Sequence, residues 1–134
     1  MLFALLLAGC ATSTVDSRRL ERLSGYNVLP AEQRLAVDAG QIKVGMPEDA
    51  VYIAWGRPSQ VIAGERAAGP VTTWLYFGTS FEEMRSWEMA HGRYSGRWYG
   101  GPYISYHYAP RNYVRAEVRF EAGVVKEWHR LPAR

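Results

Sequence analysis

The sequence predicts an α+β fold, with two N-terminal helices packed on one face of a three- or four-stranded antiparallel sheet, on three observations. Two helical segments come first, each opened by a proline and closed by a glycine, at 30–40 and 47–56. Apolar and polar residues then alternate through the second half, most clearly from Tyr113 to Glu121. Finally, Ala122-Gly123 interrupts that alternation for two residues before it resumes at Val124, the spacing of a tight hairpin. Helices first and antiparallel strands second is the order in which an α+β domain segregates its layers.

The chain starts with an apolar run from Leu2 that closes on Leu7-Ala8-Gly9-Cys10, which holds the only cysteine. Eight residues cannot cross a bilayer, which takes about 20, but they suit the core of a secretory leader. From Ala11 to Leu29 the chain is polar, with Thr12, Ser13, Thr14, Ser17, Ser24, Gly25 and Asn27, and reads as a tether with little to form a packed face. Within it, Arg18, Arg19 and Arg22 are a local basic excess: either a solvated stretch, or cations worth about 1 kcal/mol each beside anionic headgroups. The predicted organisation is thus a leader at 1–9, a tether at 10–29, and one domain at 30–134.

Pro30 suits the first position of a helix, Glu32 favours its positive end and Gly40 its left-handed exit, with Leu35, Ala36 and Ala39 expected toward the core. After Gln41-Ile42-Lys43-Val44, a second helix opens at Pro47 with Glu48 and Asp49 in its first turn. It stops at Gly56 and Pro58, and Val51, Ala54 and Trp55 share one face. Strands are expected around Val61-Ile62 and from Val71 to Phe77, where Trp74 and Tyr76 face one way and Leu75 and Phe77 the other. In the run 113–121, Val114, Ala116, Val118 and Phe120 are core while Arg115, Glu117, Arg119 and Glu121 face water, and Val124 to Arg130 returns beside it.

Between Gly78 and Asn112 lies an aromatic, glycine-rich stretch. Ser80-Phe81-Glu82-Glu83 is a capping-box pattern, and Phe81, Met84 and Trp87 at spacing three suggest an added amphipathic helix, with a strand extension as the other reading. Beyond it, Trp98, Tyr99, Tyr103, Tyr106 and Tyr108 are the candidate binding surface, because rigid rings lose little entropy for the area they cover. The competing reading is an ordinary strand whose rings pack on the sheet.

Composition narrows the chemistry. The 134 residues allow one domain after the leader, and with one cysteine no internal disulfide is available, so packing alone must hold the fold. The net charge of +3 is spread among interleaved acids, which is no nucleic-acid signature. His91, His107 and His129 lack the close pairing of metal ligands, no nucleophile has a base and acid at motif spacing, and no glycine loop leads into Lys-Ser or Lys-Thr. Catalytic residues, a metal and a cofactor are therefore not expected.

Two resemblances add to this. Leu7-Ala8-Gly9-Cys10 resembles the lipobox of bacterial lipoproteins, which implies cleavage between Gly9 and Cys10, lipid on the Cys10 sulfur and, with Ala11 next, an outer-membrane location. Gly45-Met46-Pro47, Val51 and Trp55-Gly56-Arg57-Pro58, followed by Trp74, Tyr76 and Phe120 to Val124, is similar in order and spacing to the small outer-membrane lipoproteins called BamE, SmpA or OmlA. That resemblance implies a BamE-like or BLIP-like layer arrangement. It also implies a non-enzymatic protein facing the periplasm, with subunits of the β-barrel assembly machinery as partners. Three departures stand out: Pro47 where the family has a hydroxyl, Trp55 where it has Leu, and an insertion at about 79–112. Read from the residues alone, Gly45, Met46, Val51, Gly56 and Pro58 are folding positions: a sharp turn, a plug between helix and sheet, a core contact, and a helix exit. The rival to the family role is a module that uses the aromatic insertion to hold a cell-wall glycan or a periplasmic enzyme.

Overall fold

The computed structural model describes residues 13–132. Among these residues four helices, α1 (Val15–Glu21), α2 (Leu23–Asn27), α3 (Ala31–Asp38) and α4 (Glu48–Trp55), precede four strands, β1 (Gln60–Arg66), β2 (Gly69–Tyr94), β3 (Arg97–Glu121) and β4 (Val124–Arg130). The strands form one antiparallel sheet in the order β1-β2-β3-β4. The molecule is α+β, with helices first and an open sheet after.

α4 carries the packing. Pro47 precedes its first turn, Glu48 and Asp49 sit at its positive end, and Gly56 takes φ +85° to leave it. Its Ala50, Val51, Ile53 and Ala54 are buried against Trp74 and Tyr76 of β2, Ala116, Val118 and Phe120 of β3, and Val125 of β4. Trp55 is half-buried and meets Tyr76 and Trp128 edge-on, with centroids 5.5 and 5.7 Å away. Met46 is fully buried in the same core, and its flanking backbone runs beside β4: the Gly45 amide donates to the Val125 carbonyl and the Val125 amide to that of Met46. Gly45 holds φ +89° there, a conformation favouring glycine. Pro58 is half-buried just past the helix exit.

Three expectations are corrected. The segment 15–27 is not a loose tether: it forms α1 and α2, with Val15 and Tyr26 packed against the core. Thr14 caps α1 through a reciprocal box with Ser17, a signal that a polar-composition reading passes over. In α3, Leu35 is 73% exposed and Ala39 is exposed, while Ala36 and Val37 are buried. The helix is rotated from the expected face because Ala36 and Val37, not Leu35, join the cluster under α4. Third, no helix forms at 80–87: those residues are strand, paired with 104–111. Ile104 to Arg111 supply a complete backbone partner for them, which outweighs a local capping pattern.

That pairing gives the molecule its shape. β1 covers β2 only as far as Leu75, and β4 covers β3 only from Ala116 onward. Beyond those points β2 and β3 continue together as a two-stranded ribbon from Gly78 paired with Tyr113 to Tyr94 paired with Arg97. At about 3.3 Å per residue it reaches roughly 55 Å from the domain. Ser95 (φ +48°) and Gly96 (φ +79°) close it, as Ala122 (φ +51°) and Gly123 (φ +77°) close the β3-β4 turn. Two consecutive positive φ values are what the right-handed twist of a two-residue hairpin demands.

Candidate functional site

The ribbon has two different faces, because residues opposite one another in an antiparallel pair point the same way. One face carries the pairs Trp87 with Ile104, Met89 with Pro102, Arg85 with Tyr106, Arg93 with Trp98 and Phe81 with Pro110. It is aromatic and in water: Trp87 and Trp98 are each 73% exposed and Phe81 70%. The other face carries Ser80, Glu82, Ser86, Glu88, Ala90 and Gly92 opposite Arg111, Ala109, Ser105, Tyr103, Gly101 and Tyr99.

A bulge decides which face is which. Tyr76 pairs with Ala116 but Phe77 pairs with Val114, so Arg115 has no partner on β2 and the inward-outward alternation of β3 reverses there. The even-numbered positions of β3, which are core at Ala116, Val118 and Phe120, therefore lie on the side away from the helices at Tyr108, Tyr106, Ile104 and Trp98.

Of the five residues singled out as a binding surface, the structure brings together Trp98, Tyr106 and Tyr108 and places Tyr99 and Tyr103 on the opposite face. None of their rings packs on the sheet core. Phe81, Trp87, Met89 and Ile104 complete the aromatic face. The signal for them was present as odd-numbered spacing at 81, 87 and 89, but the helical spacing that includes Met84 obscured it.

Each face has its own side-chain bonds. On the aromatic face the guanidinium of Arg85 lies 5.7 Å from the Tyr106 ring centroid, and that of Arg93 lies 5.8 Å from that of Trp98. Glu83 accepts from Arg85 at 3.0 Å and from the Tyr108 hydroxyl at 3.4 Å. On the polar face the Glu88 carboxylate is bonded to His107 Nε2 at 2.8 Å and accepts from the Tyr103 hydroxyl at 2.8 Å. The His107 bond first, then that of Tyr103, holds the Glu88 carboxyl below the usual carboxylate range, and Glu88 in turn pushes the Tyr103 hydroxyl up. Arg111 and Glu82 pair at 2.8 Å nearer the root.

The root adjoins the end of the domain where the N-terminal segment emerges. Arg18 is buried, against its expected place in a solvated or headgroup-facing stretch. Its Nε donates to the Ile53 carbonyl at 2.8 Å, Nη2 to that of Ala54 at 3.1 Å, and Nη1 to that of Ser13. A cation is thereby held on the negative end of α4, and the Tyr76 hydroxyl donates to the Gly56 carbonyl at 3.0 Å beside it. Burial pushes the Tyr76 hydroxyl pKa well above its ordinary value. Ser13, the α4 exit and the last core residue before the ribbon therefore lie at one end. Arg19 pairs with Asp16 and Asp38, and Arg22 with Asp49. Gly9 and Cys10 lie outside the described residues.

An open cleft of about 450 Å³ at the same end is lined by Gly40, Ala54, Trp55, Arg115, Arg130 and Leu131. Among the described residues no group of three His, Cys, Asp or Glu side chains is placed to hold a metal ion, and no helix is long and apolar enough to cross a membrane. Comparison with family models, with curated proteins and with solved structures gave no match.

Proposed function

We propose that this chain is a non-enzymatic lipoprotein of the outer membrane, anchored through Cys10, that engages protein partners with the projecting ribbon. The observation that carries the reading is the ribbon itself: about 55 Å of paired strand whose aromatic side chains contribute nothing to the domain core. A two-stranded ribbon is marginal in water, and a large exposed apolar face marks an interaction site. Subunits of the β-barrel assembly machinery are the partners proposed, on the resemblance of Gly45-Met46-Pro47 and Trp55-Gly56-Arg57-Pro58 to the BamE family and on the α+β layering. Cys10→Ala is expected to release the folded domain from the membrane fraction; its persistence there after high-salt washing counts against the anchor.

The exposed rings also support a second reading, a module that holds a cell-wall glycan or a periplasmic enzyme. Affinity capture with the intact protein separates the two. Recovery of assembly-machinery subunits, lost when residues 79–112 are replaced by a two-residue turn, supports the proposal. Capture of peptidoglycan or of one soluble enzyme, lost with Trp98→Ala and Tyr99→Ala, supports the second reading. Recovery of assembly subunits unaffected by removing the ribbon would keep the family role and refute the arm.

A further inference from the structure

The two faces and the charge distribution of the ribbon define one occupant for its aromatic side. No Asp or Glu occurs between Glu88 and Glu117, so beyond Trp87 the aromatic face carries His91 and Arg93 with no acid. The distal half of that face, with Trp87, Trp98 and Arg93 and no carboxylate, is complementary to an interface of negative headgroups over apolar chains; the one acid of the face, Glu83, lies nearer the root and is bonded to Arg85. Arg85 and Arg93 lie against the rings of Tyr106 and Trp98, which keeps their charged ends at the margin of an apolar surface.

A second copy of the ribbon fits this face less well. Stacking two such faces in register would enclose Arg93 of each copy among Trp87, Met89 and Trp98, with Glu83 nearer the root and already bonded to Arg85, a costly arrangement. At a bilayer the same guanidinium reaches phosphate. Position agrees with this, since Ser13, beyond which the chain continues toward Cys10, lies at the end of the domain from which the ribbon starts.

We infer that the aromatic face of the ribbon, with Trp87, Met89, Trp98, Ile104 and Tyr106 at its centre, lies in the interfacial layer of an anionic phospholipid bilayer. The opposite face, with Tyr99, Tyr103 and the Glu88–His107 pair, then looks into water and is left for protein contact. The inference rests on the reading of the ribbon as the interaction arm and divides that arm by face: the exposed rings meet lipid, and protein contact falls to the opposite face.

The test uses the full chain mixed with vesicles of phosphatidylethanolamine and phosphatidylglycerol whose acyl chains are brominated near the headgroup, with tryptophan fluorescence as readout. The expected result is quenching in the unaltered protein that is mostly lost in the Trp87→Phe, Trp98→Phe double variant, with its circular dichroism unchanged. Because the readout is the difference between variants, it does not depend on lipid at Cys10. Adding Tyr103→Trp to the double variant is expected to leave quenching absent, since that ring sits on the polar face. Replacing phosphatidylglycerol with phosphatidylcholine is expected to weaken the effect. Quenching that is equal with and without Trp87 and Trp98, that returns in full with Tyr103→Trp, or that ignores headgroup charge would overturn the proposal. So would ribbon-to-ribbon crosslinks between two copies on vesicles that produce no quenching.

Discussion

Arg18 joins the N-terminal segment to the domain by three hydrogen bonds to main-chain carbonyls, two of them at the end of α4. Replacing it with Ala leaves the Ile53 and Ala54 carbonyls buried without a donor, and the expected cost is about 2–3 kcal/mol, read from urea unfolding. A change within experimental error would show that α1 does not depend on this side chain. Nothing in the residues around Arg18 distinguishes it from Arg19 and Arg22, which pair with surface acids. Its role became legible only with α4 in place, because its acceptors are 35 and 36 residues away. On the ribbon, Glu88 offers a pH test. Its carboxyl pKa is lowered by His107 first and Tyr103 second, so the folded value lies below the unfolded one. The contribution of this pair is therefore present above the ordinary carboxylate value and is lost as pH falls through the lowered folded value. NMR titration is expected to place the Glu88 midpoint below that of an unpaired Glu, and His107→Ala to raise it; a midpoint that does not respond to His107→Ala contradicts the bond.

Within the ribbon, one close approach admits only glycine. A Cβ on Gly100 would run into the Ala90 carbonyl oxygen of the facing strand, whereas one on Gly92 would meet the exposed Tyr99 ring, which can swing aside. Gly100→Ala is expected to cost about 1–3 kcal/mol in the distal ribbon. Hydrogen exchange should then show amide protection lost between Arg93 and Trp98 while that of β2 at Trp74 and of β3 at Val118 stays. Uniform loss in both places would mean that ribbon and body unfold as one unit. The same contrast explains which elements could be read in advance. α4 and the run from Ala116 to Phe120 were legible because one side is core and the other water, so composition repeats with the element's own period. The ribbon has water on both sides, so burial imposes no such period, and the capping pattern at Ser80 to Glu83 pointed to a helix that cross-strand pairing overrides. The bulge at Arg115, which assigns the rings to their face, has no signature beyond the pairing itself.

Taken as a whole molecule, the chain is a small core with an arm that adds nothing to it. Every fully buried side chain, from Val37 and Met46 through Ile53 to Phe120 and Val125, lies outside residues 78–113. Replacing 79–112 by a two-residue turn is therefore expected to leave both the midpoint and the slope of the domain's denaturant unfolding transition in place. A large fall in the midpoint would instead make the ribbon part of the fold. The α+β class was legible from the order of the elements, whereas the separation into core and arm was not, because the sequence shows where rings are and not whether anything covers them. On the proposed function, this molecule meets its protein partners through that arm. In-cell photocrosslinking can decide this, with a photoreactive residue placed at Tyr103 or Tyr99 on the ribbon and, for comparison, at Lys126 on β4. Discrete crosslinks to envelope proteins are expected from the two ribbon positions and none from Lys126; crosslinks from Lys126 alone would rule out the ribbon as the contact arm.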